Sequence, residues 1–330
     1  MKVQSILSMA PLRVSFLGGG TDIPSFYNKS KGCVVSVAIS KYVYVHVKRH
    51  DPLFQERYRI SYSEVEHTNS RDSINNAIVK GCLELLDIDE PIQISTSADL
   101  PANSGLGSSS SFAVALLNAL HALKNEEASS VQLAEEASLV EIGLLGSPIG
   151  KQDQYAAAFG GLNLFEFATD GRVSIDPINL SAVEVNALLD KSILIWTGRS
   201  RDANSVLTDQ AHHANSNQEH LLELTNLARD FKSKLLEKDV DWANLGPLIK
   251  KGWYLKQSFS KKIATDEVTA ITDKLDSLGC LGYKLLGAGG GGFILGVFGS
   301  KYEEIQTQLK DWHTFKPSLD SQGARIVSVN

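Results

Sequence analysis

Alternation of apolar and polar residues dominates the first hundred positions. Cys33 to His50 (CVVSVAISKYVYVHVKRH) sets β-branched and aromatic side chains against polar ones at period two. Arg57 to Ser63 (RYRISYS) and Ile92 to Asp99 (IQISTSAD) repeat the pattern, so this part of the chain is predicted to be mainly strand. The period then changes. Phe112 to Leu123 is apolar nearly all round and predicts a buried helix, and Ser129 to Leu145 predicts a second, opened by a capping box of Ser129 with Gln132. Gly160 to Phe167 (GGLNLFEF) returns to strand. Near residues 170 to 190 turn residues break every long period, which places a domain boundary there and divides the chain into 1–180 and 181–330. Beyond it come a strand (SILIWTG), a helical region from Asn204 to Leu278, two strands (YKLLG, FILGVFG), a helix over Ser300 to His313 and a last strand (ARIVSVN). That β-α-β-β-α-β succession is the split arrangement of a ferredoxin-like domain, and the expected class is α+β.

A length of 330 residues suffices for two cores. With 43% apolar and 21% charged residues the chain has a globular composition, which excludes disorder and coiled coil. A net charge of −6 and the lack of a basic run argue against a nucleic-acid partner, so an anionic substrate must be met by local cations. Cys33, Cys82 and Cys280 lack C-x-x-C spacing, which excludes a disulfide framework or zinc ribbon and fits a cytoplasmic protein. Met1 to Phe16 has no sustained apolar run and no segment reaches membrane-spanning length, so neither signal peptide nor membrane contact is expected.

Three glycine-rich stretches punctuate the pattern: Phe16 to Asp22 (FLGGGTD), Ser104 to Ser111 (SGLGSSSS) and Gly287 to Gly292 (GAGGGG). The third formally matches G-x-G-x-x-G, but a strand follows it instead of a helix, so it predicts a tight hairpin and no dinucleotide fold. The second runs straight into the buried helix. A helix N-terminus presents unpaired N–H groups and the positive end of the macrodipole, which suits phosphate. One serine would cap the helix, and four after G-L-G favour phosphate binding. Acids also stand in unusual places. Helical spacing puts Glu141 on one face with Ala134, Ala137 and Leu144, where a carboxylate is expected only if paired or bound to metal. Asp153 stands in a Gly/Pro-bounded turn two residues after Lys151, where a helix cap is the commoner role.

Taken together, APLRVSFLGGGTD, PANSGLGSSSSF and KLLGAGGGGFIL resemble the substrate, nucleotide-phosphate and C-terminal glycine motifs of the GHMP kinases, in the family's order across nearly the whole chain. Within that superfamily GGGTD, GLGSSSS, QDQYAAAFGG and TGRSRD are most similar to the heptose 7-phosphate kinase branch. Gly-Gly-Thr-Asp replaces the Gly-Glu-His-x-Asp of galactokinases, which weighs against galactose. The resemblance implies a two-domain fold, an N-terminal part like ribosomal protein S5 domain 2 and a ferredoxin-like C-terminal part, with ATP in the groove between them. It implies nucleotide contacts from Pro101, Gly105, Leu106, Gly107, Ser108, Ser109 and Ser110, joined by Gly289 and Gly290. Mg²⁺ would lie on Ser109 and Glu141. Asp153 would be catalytic, with Lys151 or Arg13 beside it, and Arg13, Gly19, Gly20, Thr21, Asp22 and Asp153 would line the sugar site. Arg201 would take the sugar's phosphate, whereas Arg199 has no counterpart in the family pattern. The implied reaction is ATP-dependent phosphorylation of the anomeric hydroxyl of a heptose 7-phosphate by a cytoplasmic enzyme, with a homodimer compatible. The rival readings are a kinase of fucose or another unphosphorylated sugar, and a non-catalytic ATP- or sugar-binding regulator. Retention of Ser109, Glu141 and Asp153 together weighs against the regulator.

Overall fold

The computed structural model describes residues 3–51, 53–200, 217–238, 240–260 and 262–330. Ser5–Leu17 (β1) and Gly32–Arg49 (β2) pair antiparallel, with Ile6 opposite Val47 and Arg13 opposite Ala38. The second half of β1 is buried on both faces, so the polar Arg13 and Ser15 lie inside the molecule. Pro24–Tyr27 (α1), Tyr58–Ser61 (β3), Val65–Thr68 (β4), Ala77–Leu85 (α2) and Ile92–Ala98 (β5) follow. Next come Ser108–Leu123 (α3), Ser130–Ser138 (α4), Gln152–Phe159 (α5), Leu162–Phe167 (β6) and Val173–Pro177 (β7). α3 packs across β1 and β2, which explains why it is apolar nearly all round. The expected helix of Ser129 to Leu145 changes hydrogen-bond period midway: α4 ends at Ser138 and Leu139–Leu144 form a π-helical turn. Only half of the capping box forms. Ser129 Oγ accepts from Gln132 N at 3.2 Å, while the Gln132 amide donates to Glu136 at 2.9 Å.

The region around the expected boundary is more regular than its turn residues suggest, since it carries β7 and then Ala182–Leu189 (α6), opened by a full Ser181/Glu184 capping box. Among the described residues Ser192–Trp196 (β8) is followed by the helices Gln218–Leu235 (α7), Trp242–Gln257 (α8) and Asp266–Ser277 (α9), the last two capped by Asp241 and Thr265. Gly282–Leu285 (β9) and Phe293–Val297 (β10) form the expected hairpin around the GAGGGG loop. Of the helix expected over Ser300 to His313 only Tyr302–Ile305 (α10) is α-helical, extended by a 3₁₀ turn at Gln306–Gln308. Thr314–Phe315 (β11) then closes the second sheet, whose order β11-β8-β10-β9 is the antiparallel fourth-first-third-second order of a ferredoxin-like unit. The final strand forms as Arg325–Val329 (β12), but it pairs with β1, putting Ile6 opposite Val329, and so joins the first sheet of order β12-β1-β2-β5-β3-β4. β6 and β7 extend that sheet from the other end of β2. The α+β, two-sheet architecture is thus as expected. Among the described residues no helix is long and apolar enough to cross a membrane.

Candidate active site

A cleft of about 340 Å³ lies where the loops before α3 and α5, the end of β1 and the β9–β10 hairpin converge. The two glycine loops touch each other there. A Cβ at Gly105, whose φ is +82°, would stand 2.6 Å from Leu286 O, and Phe293 N donates to Ser104 O at 3.0 Å. Gly107 is the N-cap of α3 and offers no side chain to its first turn. Two of the serines are engaged elsewhere. Ser111 Oγ donates to Pro11 O at 2.7 Å and Ser109 Oγ to Glu141 Oε1 at 2.5 Å. Capping therefore does not account for the run of serines, and a glycine-led first turn facing a cleft is suited to bind an anion.

Glu141 sits in the π turn, a device that shifts a helix face by one residue and recurs at functional sites. It is 2% exposed, and besides Ser109 it accepts from Gln154 Nε2 at 2.6 Å. Burial pushes its carboxyl up, opposed by the bonds from Ser109, Ser110 and Gln154, while Asp153 adds to the rise. Among the described residues no Lys, Arg or His forms an ion pair with it. A buried carboxylate beside a serine hydroxyl at the cleft is a hard-oxygen donor set that fits Mg²⁺, which keeps few protein ligands.

Arg13 and Asp153 meet in a bidentate pair, Nε to Oδ1 at 2.7 Å and Nη2 to Oδ2 at 2.6 Å, and Arg13 Nη1 donates to Gly105 O at 2.6 Å. One guanidinium thus ties β1, the phosphate-type loop and the first turn of α5 together. Asp22, 2% exposed, ties the next loop: Oδ1 accepts from Gly20 N at 2.9 Å and Oδ2 from Gln152 N at 3.2 Å. Burial, then the charge of Asp153, raises the Asp22 carboxyl above the usual range. Gly150 makes this junction possible, because a Cβ there would fall 2.0 Å from Asp22 Oδ2.

Several expected residues sit elsewhere. Lys151 does not reach Asp153; its ammonium donates to Gly171 O at 2.9 Å and pairs with Glu135 at 3.3 Å, so Arg13 alone of the two flanks the carboxylate. Pro101 is exposed and away from the cleft wall, and Leu106 is a core side chain whose carbonyl accepts from Arg13 N. Thr21 is fully buried with its hydroxyl on Gly18 O and Cys33 O, so it shapes the loop and does not face the cleft. Gly290 N donates to Ile263 O and Gly289 packs on Ile263, whereas Gly287 and Ala288 line the cleft. Gly19, Gly20, Asp22, Gly105, Gly107 and Ser108 to Ser110 line it. Arg201 lies outside the described residues, and Arg199 pairs with Glu267 at 2.9 Å. Among the cleft residues that sequence reasoning missed, four bear directly on its chemistry. Ser15 Oγ and Gln152 Oε1 are buried and have no hydrogen-bond partner among the described residues, and Lys256 and Lys284 bring two buried amines. The one available signal was Lys284, a lone charge in the otherwise apolar strand GYKL beside the glycine motif.

Residues 76–161 match the model of the GHMP kinases N terminal domain, and residues 233–313 that of the GHMP kinases C terminal domain. The chain is 30% identical over 308 residues, 88% of its own length and 89% of the relative's, to the D-glycero-alpha-D-manno-heptose 7-phosphate kinase of Campylobacter jejuni. In structure it resembles a D-glycero-D-manno-heptose 1-phosphate kinase from Bacteroides thetaiotaomicron, with a TM-score of 0.79 at 23% identity over 98% of this chain and 99% of that one. A putative sugar kinase from Campylobacter jejuni superposes with a TM-score of 0.72 at 26% identity, over 99% of each chain.

Proposed function

The chain belongs to the GHMP kinase family and is an ATP-dependent sugar kinase, and on that premise we propose that it phosphorylates the anomeric hydroxyl of D-glycero-D-manno-heptose 7-phosphate. The product is the 1,7-bisphosphate, a precursor for nucleotide-activated heptose. The observation that carries the reading is the bidentate Arg13–Asp153 pair beside the first turn of α3, in a chain whose 30% identical relative is a heptose 7-phosphate kinase. The match to the Bacteroides protein, at 23% identity, supports the fold alone. The division proposed is 1–180 and 181–330, with β12 returning to the first sheet.

Phosphoryl transfer asks a protein mainly for positioning and charge stabilisation. Gly105, Gly107 and Ser108 to Ser110 hold the nucleotide phosphates, with Gly287 and Ala288 opposite. Bound at Ser109 and Glu141, Mg²⁺ supplies charge neutralisation on those phosphates. Gly19, Gly20 and Asp22 hold the sugar, and Ser15 Oγ and Gln152 Oε1, which have no partner among the described residues, offer further bonds to its hydroxyls. Asp153 accepts the proton of the attacking hydroxyl as its oxygen bonds to the γ-phosphorus, and ADP leaves. Arg13 fixes the direction of both carboxylate oxygens and offsets charge on the transferred group. The three buried free thiols fit a reducing compartment, and the cytoplasm is the location proposed. A panel of heptose 7-phosphate, heptose, fucose, galactose and mannose with coupled ADP detection tests the reading. Heptose 7-phosphate is expected to give the highest kcat/KM, and a higher value for fucose would replace the acceptor.

A further inference from the structure

The cleft holds two basic side chains that this reaction scheme does not use. Lys256, in the last turn of α8, and Lys284, in β9, enter it from the C-terminal half and are 8% and 7% exposed. Each ammonium has three donors. Lys284 Nζ donates to Phe16 O at 3.1 Å and Lys256 Nζ to Gly287 O, and among the described residues neither pairs with a carboxylate. Burying an uncompensated ammonium is costly, and an ordinary core would place an apolar side chain at both positions. Burial and neighbouring charges depress both, and Lys256 acts on Lys284. Burial first, then the charge of Arg13, pushes Lys256 down to about 8, while Asp22 and Asp153 oppose the fall; burial, then Lys256 and Arg13, pushes Lys284 well below the usual range.

Lys284 lies on the acceptor side of the cleft, and Lys256, whose Nζ donates to Gly287 O opposite the nucleotide-phosphate loop, stands between the two sides. Lys284 is anchored on Phe16, just before the Gly18 to Asp22 loop, and α8 packs on the same strand end, where a Cβ on Gly252 would fall 2.4 Å from Leu17 Cδ2. The nucleotide phosphates already have the first turn of α3 and the Ser109–Glu141 pair on another wall. We propose that Lys256 and Lys284 together form the seat for the phosphate monoester that the sugar already carries, and that this pair makes the kinase selective for a phosphorylated acceptor. A dianion beside them favours the protonated form of both amines, and charge-assisted bonds to phosphate oxygens satisfy their remaining donors. The proposal rests on the reading of the acceptor as a sugar phosphate. The terminal phosphate of ATP is the other phosphate that enters the cleft, and the test separates the two.

Full-length Lys256→Met, Lys284→Met and the double variant are compared with the wild type in two measurements. In the first, inorganic phosphate is titrated in thermal melts with Mg²⁺ and a saturating non-hydrolysable ATP analogue, which keeps the nucleotide site filled. The wild-type Tm is expected to rise with phosphate and the double variant's to stay flat, while its starting Tm is equal or higher because a buried charge is gone. Lys284→Arg keeps the charge and is expected to retain the shift. In the second, the ratio of kcat/KM for heptose 7-phosphate over heptose is expected to fall at least tenfold in each Met variant, with the KM for ATP changing less than twofold. A phosphate-dependent shift that survives in the double variant overturns the seat. A raised KM for ATP with an unchanged sugar ratio overturns it too, in favour of the γ-phosphate. A wild type with no preference for the phosphorylated sugar overturns the acceptor reading, and the phosphate titration then still decides whether the seat exists. Lys256→Gln and Lys284→Gln supply a second neutral pair if a Met variant does not fold.

Discussion

Replacing Asp153 by Asn changes one oxygen to an NH₂ and leaves the shape of the side chain intact. The wild-type carboxylate receives two charge-assisted bonds from a guanidinium that is 4% exposed, while its own side chain is 23% exposed. An amide has one acceptor oxygen, so one of the two bonds is lost and an N–H is turned toward the Arg13 fork. A hydrogen bond to a charged group is worth about 1.5–3 kcal/mol. Breaking a fully buried pair costs about 3–5 kcal/mol, and the partial exposure of Asp153 places this case at the low end, so about 2–3 kcal/mol of stability should go. In a chain of this size that is a fall in Tm of about 5 °C. Turnover should fall by about two or more orders of magnitude, because the acceptor of the hydroxyl proton is gone. ATP binding should persist, since Arg13 Nη1 still has Gly105 O to hold the loop. Melting curves, nucleotide titration and coupled ADP release measure the three effects. Turnover within tenfold of wild type would refute the role of Asp153. Loss of ATP affinity in proportion to turnover would refute the division of labour between Arg13 and the loop.

Glu141→Gln should raise the Mg²⁺ concentration needed for half-maximal activity at least tenfold and move Tm by no more than about 2 °C, because the amide oxygen can still accept from Gln154 while its NH₂ donates to Ser109 Oγ. A sharp fall in Tm with an unchanged Mg²⁺ requirement makes Glu141 structural. Gly150→Ala places a methyl carbon 2.0 Å from Asp22 Oδ2 and should cost about 1–3 kcal/mol while raising the KM for sugar more than that for ATP. Equal effects on both would detach Asp22 from the sugar. Lys256 titrates at about 8 among Arg13, Asp22, Asp153 and Lys284, so kcat/KM for a phosphorylated acceptor should decline above about pH 8. Stability from this group runs the other way. Its folded pKa lies below the unfolded value of about 10.4, so the unfolded chain binds more protons in between and stability rises with pH across that window. A pH profile of kcat/KM that is flat to pH 10 would contradict the first half.

Elements whose signal is local could be read from the chain, and those set by tertiary choice could not. The buried character of α3 and the small residues at its start are one continuous pattern, and the structure places them where a helix N-terminus meets a cleft. β12 reads plainly as a strand, but nothing in ARIVSVN says that its partner is β1 and not the sheet of β8 to β11. α2 escaped notice because it is short and carries Gly81 midway, a position where a Cβ would meet Val140 Cγ1 at 2.9 Å. Glu141 was legible as a carboxylate on an apolar face, whereas the π turn that carries it was not, since spacing rules assume one helical period. Nearness in sequence misled in one case. Lys151 stands two residues from Asp153 yet turns to Glu135, and the cation that binds the carboxylate comes from β1. Lys256 is one of several lysines on α8, and only the folded structure distinguishes it, by its burial and by the ion pairs that Lys250 and Lys251 make with Asp276 and Glu223.

The central claim is a transfer to the anomeric oxygen of a sugar that already bears a phosphate. The most direct measurement is ³¹P NMR of the product formed from ATP, Mg²⁺ and D-glycero-D-manno-heptose 7-phosphate by the wild-type enzyme. The account predicts two phosphomonoester signals of equal area, the original one unchanged and a new one coupled to the anomeric proton, appearing in step with ADP. A new signal coupled to any other ring proton, or ADP formed only when an unphosphorylated sugar is supplied, would contradict it.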